Sequence, residues 1–310
     1  MGGRPGLPLG AIVISDALDE LVALFELERL EEDYFRGASP DERRQRIFGG
    51  QVAGQALVAA GLTVDPARGV HSLHAYFLRP GLPGVPVLYQ VDRIRDGRSF
   101  TTRRVVAVQR GRPIFNLSAS FHVEEQGVSH QDPMPPVPPP ATLPTYAEQL
   151  EGWSEEAGEW YTRPRPIDQR FVDAPAWATR GRERAPRQRV WIRADGRLPD
   201  DPLLHACVVA YASDVTLLDS VLMPHGLAWG DEGLMGASLD HAMWFHQPFR
   251  ADEWLLYDQQ SPVASGSRGL AGGAIYTMEG LRAVTVVQEG VVRCRPAGRK
   301  DRPEASRTGP

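Results

Sequence analysis

The sequence predicts an α+β protein that uses one plan twice: a buried central helix followed by an antiparallel β-sheet that wraps it. Three observations carry that expectation. Two helical stretches are apolar or small on nearly every side, as in a helix enclosed by protein. Each precedes segments in which apolar and polar residues alternate with period two between tight-turn dipeptides. A shift of 168 residues lays Phe77 on Phe245, Pro80 on Pro248, Leu88 on Leu256, Tyr89 on Tyr257 and Ser99 on Ser267, as an internal duplication would.

In the first half, Ser15 is placed to cap a helix whose Leu18, Leu21, Val22 and Phe25 share one face. Phe48-Gly49-Gly50-Gln51 then leads into VAGQALVAAGL, the first buried helix. Strands are expected over residues 70–79 and 86–95, with Asp96-Gly97 as a hairpin turn. A strand over 103–109, a turn at Arg110-Gly111 and strict alternation of Phe115, Leu117, Ala119, Phe121 and Val123 complete a meander with one apolar face. The second half repeats the order. A short strand over 190–194 is followed by Asp201-Pro202, which opens the helix LLHACVVAYAS with proline at its tolerated first position. Strands are expected at about 235–246, 254–260, 268–278 and 281–293, with a turn at Glu279-Gly280. A buried helix wrapped by an antiparallel sheet, present twice, is a double hotdog.

Length agrees: 310 residues suit about two domains at the usual size. Residues 11–125 form the first and 188–295 the second. The connection over 126–187 includes a proline-dense run at 131–144 that suits an extended linker with no packed element, and an irregular Arg-, Glu- and Pro-rich stretch. Residues 296–310 lack apolar periodicity and read as a disordered tail.

Composition excludes several chemistries. The net charge of −5 offers no basic field for nucleic acid or an anionic membrane. Lys300 is the only lysine and sits in the polar tail, so neither a phosphate-loop lysine nor a Schiff-base lysine is available. Cys207 and Cys294 belong to no Cys-x-x-Cys pattern, which argues against a disulfide framework or a thiolate metal site. Asp16, Asp19 and Glu20 follow the short apolar run near the N-terminus directly, a poor secretory signal, and no stretch is long enough for a membrane span. The chain is expected to be cytoplasmic.

No HExxH, G-x-S-x-G or G-x-G-x-x-G is present; Gly236-Ala237-Ser238-Leu239-Asp240 lacks the second glycine. This leaves acid–base or water-activating chemistry, or plain binding. Three polar residues stand out in apolar surroundings. Asp214 ends the second apolar helix and suits either helix capping or catalysis. Gln288 shares an inward strand face with Val284, Val286 and Val292, and Ser238 opens an aromatic strand. Asp200 and His205 approximate an Asp/His hydratase pair, but the proline falls one place too early, so Asp200 or Asp201 is expected to cap the helix.

Several long motifs, in order, resemble the bacterial acyl-CoA thioesterase II family. They are FGGQVAGQAL (48–57), VHSLHAYFLRPG (70–81), RDGRSFTTRRV (95–105), PIFNLSASF (113–121), RQRVWIRADG (187–196), LDHAMWFHQPF (239–249), EWLLYDQQSP (253–262) and VVQEGVVR (286–293). The resemblance implies a double hotdog that hydrolyses fatty acyl-CoA to free fatty acid and CoA without metal or cofactor. It also implies a catalytic aspartate in Tyr-x-Ser-Asp, a threonine before Ile/Leu-Asp-His and a glutamine in Val-Gln-Glu-Gly. These fall on Asp214, Ser238 and Gln288; serine replaces the family's threonine. All three lie in the second half. Backbone N–H groups around Gly49-Gly50, or the second-half equivalent, are expected to hold the oxyanion, and unspecified arginines the CoA phosphates. A homodimer or tetramer is expected. The competing readings are a hydratase or dehydratase using Asp200 and His205, and a non-catalytic acyl-CoA-binding protein.

Overall fold

A computed structural model describes residues 16–41, 45–151 and 164–294. The proposed Ser15 cap and the tail at 296–310 lie outside the described residues. The first half runs α1 (Asp16–Phe25), β1 (Glu28–Glu31), β2 (Tyr34–Gly37), α2 (Gly49–Gly61), β3 (Arg68–Phe77), β4 (Val87–Asp96), β5 (Phe100–Gln109) and β6 (Arg112–Val123). A short α3 (Tyr146–Leu150), with a Thr145/Glu148 capping box, precedes β7 (Ile167–Phe171) and β8 (Arg187–Ala194). Then follow α4 (Pro202–Ser213), α5 (Asp219–Leu222), β9 (Leu234–Ser238), β10 (Asp240–Phe245), β11 (Leu255–Ser265), β12 (Arg268–Thr277) and β13 (Arg282–Cys294).

Twelve strands form one antiparallel path in the order β1-β2-β4-β5-β6-β3-β10-β13-β12-β11-β8-β7, and β9 pairs with β13 off it. The order reads the same outward from the β3/β10 seam in both directions. At the seam, Leu73 faces Met243 and Ala75 faces His241, so the two halves share one continuous ladder. The 168-residue shift carries the start of β4 onto β11 and of β5 onto β12. The double hotdog is the fold observed.

The long helices α2 and α4 lie antiparallel against each other inside the curved sheet. Small residues bring them together: a Cβ on Gly54 would lie 3.3 Å from the Cys207 carbonyl oxygen, and one on Gly50 only 2.6 Å from that of Tyr211. Val52 through Ala60 are buried, and Ala206 through Ala210 are too, because each helix is enclosed by sheet, by the other helix, or by α1. Apolar burial of this extent drives the fold, at about 25 cal/mol per Å² removed from water.

The first expected strand begins at residue 70, yet β1 and β2 pair at 28–37; every residue of β1 is exposed, so no alternation could mark it. Two expectations need correction. The single strand expected at about 235–246 breaks at Leu239 into β9 and β10. There the Leu239 N–H donates to the Glu289 carbonyl, 2.9 Å, and its own carbonyl accepts from the Phe77 N–H, 2.9 Å. The proline-dense run is packed: Met134, Val137 and Leu143 lie on a cluster of Trp191, Leu256, Ala274 and Tyr276, and Trp191 Nε1 donates to the Pro138 carbonyl at 2.9 Å. Proline removes backbone donors but leaves carbonyls and apolar rings able to cover a sheet face.

Candidate active site

The antiparallel helix pair makes two pseudo-equivalent ends, and they differ. At one end, the residue after α2 is Leu62, and the next, Thr63, bonds the buried Arg103 guanidinium through its hydroxyl (2.9 Å) and carbonyl (3.0 Å). At the other end, the residue after α4 is Asp214, and it meets the start of α2 from the first half. A Cβ on Gly49 would lie 2.6 Å from Asp214 Oδ2. Glycine there lets a carboxylate reach the N–H-rich end of a helix whose cap residue, Phe48, provides no side-chain capping hydrogen bond.

The sequence singled out Asp214, Ser238 and Gln288, and the fold brings them together. Gln288 Nε2 donates to Asp214 Oδ1 at 2.6 Å, and Ser238 Oγ donates to the same oxygen at 3.3 Å. Asp214 sits at the C-cap of α4 with φ −87°, and its side chain bonds across to β13, to β9 and to the Gly50 amide at the start of α2, so its carboxylate does not cap its own helix. Gln288 is fully buried, and its Oε1 has no hydrogen-bond partner among the described residues. Ser238 ends β9 beside the Leu239 break, where it faces Gly290 across the ladder. The strand break aims it at Asp214.

Burial raises the Asp214 carboxyl to about 6, against the lowering effect of Gln288, the Gly50 amide, Ser238 and the Arg46 charge. The turn before it is braced from within the core. Ser213 Oγ lies 2.8 Å from His241 Nε2, and the Ser213 carbonyl accepts from Tyr257 Oη at 3.1 Å. Burial holds His241 down to about 4, so it stays neutral.

Asp214 and Ser238 line a cavity of about 630 Å³, walled by apolar residues such as Val52, Phe77, Phe115 and Leu218. Asp219 and Trp229 also line it. Trp229 Nε1 donates to Asp219 Oδ1 at 2.7 Å, and burial raises that carboxyl to about 7. The sequence does not mark Asp219, Trp229, Arg46 or Phe77 as cavity walls. Nothing local marks them, since they come from separate loops and strands. The hydratase-like pair is not assembled. Asp200 pairs with Arg250, Asp201 caps α4 through the Leu203 N–H at 2.9 Å, and buried His205 accepts the Ala251 N–H at 3.0 Å. Among the described residues no cluster of His, Cys, Asp or Glu could hold a metal, and no helix is long and apolar enough to cross a membrane.

Known proteins resemble this chain along most of its length. A family model described as acyl-CoA thioesterase matches residues 165–291, and one described as acyl-CoA thioesterase N-terminal domain matches 39–122. Human acyl-coenzyme A thioesterase 8 is 42% identical over 306 residues, 95% of this chain and 93% of its own. The chain belongs to the acyl-CoA thioesterase family. Acyl-CoA thioesterase 2 of Haemophilus influenzae is 35% identical, over 90% of this chain and 99% of that one. The solved acyl-CoA thioesterase II TesB2 from Mycobacterium marinum superimposes with a TM-score of 0.73 at 45% identity, covering 91% of this chain and all of its own. A hot dog fold protein from Alicyclobacillus acidocaldarius gives the same TM-score at 19% identity, which speaks for the fold alone. The enzyme is thus a thioester hydrolase, and its two family matches leave the proline-dense connection between them.

Proposed function

We propose that the enzyme hydrolyses fatty acyl-CoA to a free fatty acid and CoA, with Asp214, Ser238 and Gln288 as its catalytic residues. The observation that carries this reading is the convergence of Ser238 and Gln288 on one carboxylate oxygen of Asp214 at the wall of an apolar cavity. Water attacks the thioester carbonyl carbon while Asp214 takes its proton. Ser238, on the cavity wall, and Gln288, buried behind it, hold the Asp214 carboxylate in the orientation that takes the water's proton. Orientation of this kind supplies much of the rate, because it removes the entropic cost of assembling the reactants. The tetrahedral intermediate then expels the CoA thiolate, breaking the C–S bond, and the thiolate needs little help from a general acid. The Gly50 amide bonds the Asp214 carboxylate itself, and the Gly49 N–H at the start of α2 serves the developing oxyanion.

The test is release of free thiol from palmitoyl-CoA and shorter esters by the wild type and by Asp214→Asn. The substitution keeps the shape and removes the base. Turnover should fall by about 10²- to 10⁴-fold with circular dichroism unchanged. A folded Asp214→Asn enzyme of near-normal rate would sink the assignment.

A further inference from the structure

A CoA ester poses a second recognition problem beyond its reacting carbon. The thioester is joined through a long neutral arm to a nucleotide carrying a pyrophosphate and a 3′-phosphate, which must stay in water while the acyl chain leaves it. The cavity is polarised in a matching way. Its two carboxyl-bearing residues, Asp214 and Asp219, come from the second half, whereas its exposed rim includes Gln45, Arg46 and Arg79 from the first half.

We propose that Arg46 and Arg79 form the subsite for the phosphates of the CoA portion, an inference that rests on the thioesterase reading above. Three observations support it. They are the two arginines among the described residues that line the cavity. Neither faces a carboxylate within ion-pair distance among the described residues, whereas many other arginines do, among them Arg93, Arg187 and Arg268. Finally, each guanidinium is aimed by a single backbone carbonyl. Arg46 Nη2 donates to the Gly236 carbonyl at 2.6 Å, and Arg79 Nη1 to the Pro113 carbonyl at 2.7 Å. The remaining N–H groups of each planar fork are left for an anion, and phosphate is the anion whose geometry a guanidinium matches in bidentate fashion. Two cations without an ion-pair partner among the described residues, at the mouth of a chain with net charge −5, also concentrate an anionic substrate there.

Arg79 is the cleaner probe, because Arg46 also acts electrostatically on Asp214. Binding of free CoA and of pantetheine, which lacks the phosphates, is measured by calorimetry on the full chain at low salt. The wild type, Arg79→Gln and Arg79→Lys are compared. CoA affinity should fall about fivefold in Arg79→Gln, the favourable end for an exposed ion pair, and recover partly in Arg79→Lys, while pantetheine affinity shows no such pattern. In parallel, the preference for a CoA ester over the N-acetylcysteamine ester of the same acid should fall by a similar factor and weaken with added salt. Equal CoA binding by wild type and Arg79→Gln overturns the subsite, and so does equal weakening of CoA and pantetheine. If phosphate-dependent CoA binding is found but the wild type releases no thiol from any ester, the hydrolysis reading fails and the subsite stands.

Discussion

Asp214 is costly to hold in place, and that cost makes its role testable by pH. Burial raises its carboxyl from 3.8 to about 6, so kcat/KM should climb with pH through about 6 as the base ionises, and level above it. Stability moves the other way. Between pH 3.8 and about 6 the folded state holds a proton that the unfolded chain has released, so folding weakens as pH rises through that window. Asp214→Asn should therefore stabilise the fold at pH 8 by on the order of 3 kcal/mol, seen as a higher Tm, and change it little at pH 4. A thermal melt at both values decides this; an Asn variant no more stable at pH 8 contradicts the strained-carboxylate account. Ser238 is a separate lever. Its bond to Asp214 is long at 3.3 Å, and serine lacks the methyl that restricts χ1 in threonine. Ser238→Thr should raise kcat a few-fold with KM little changed in steady-state assays, and a drop in kcat would show that the pocket is shaped for serine.

At the scale of elements, the site is an encounter between the C-terminal end of α4 and the N-terminal end of α2, and glycine decides how close they come. Ala is normally better than Gly in a helix by about 1 kcal/mol. At Gly49 the added methyl would lie 2.6 Å from Asp214 Oδ2 and 2.8 Å from the Phe77 ring. Gly49→Ala should therefore lower kcat at least tenfold despite better helix propensity, with the base and its partners all present. Kinetics and a crystal structure of the variant check this together; an unchanged rate would mean that the start of α2 does not set the reacting geometry. The break between β9 and β10 has the same kind of consequence. It turns an ordinary strand serine toward a carboxylate on another element, which an unbroken strand over 235–246 would not do.

For the whole molecule, the duplication has been used unequally. One helix-pair end holds Asp214, while the other holds Leu62 and a buried Arg103 satisfied by Thr63, the Arg95 carbonyl and Asp96. The proposed chemistry draws Asp214, Ser238 and Gln288 from one half and the start of α2 and the arginine rim from the other. Separately produced halves, cut within the proline-dense connection, should each fail to hydrolyse acyl-CoA, because each exposes the helix face that the other buries. Mixing or co-expressing them should restore turnover, and activity from the second half alone would refute a shared site.

Much of this was legible along the chain. Period-two alternation, the Asp96-Gly97 and Glu279-Gly280 turns and two all-round apolar helices dictate the fold, because burial leaves its mark on every residue of an enclosed element. Asp214 and Gln288 were visible for the same reason, as polar groups among apolar neighbours. Strand β1 was not, since all of its side chains are exposed and no face of it is selected. Nor could the sequence choose between capping and catalysis for Asp214, or pick two arginines from so many. The roles proposed for them rest on contacts between residues far apart in the chain: Gly49 against Asp214, Gln288 against Asp214, Arg46 against Gly236. The sequence by itself determined which surfaces must be buried. The tertiary structure alone decided which polar groups meet where they are, because side-chain distance across a helix pair is set by packing and leaves no periodicity to read.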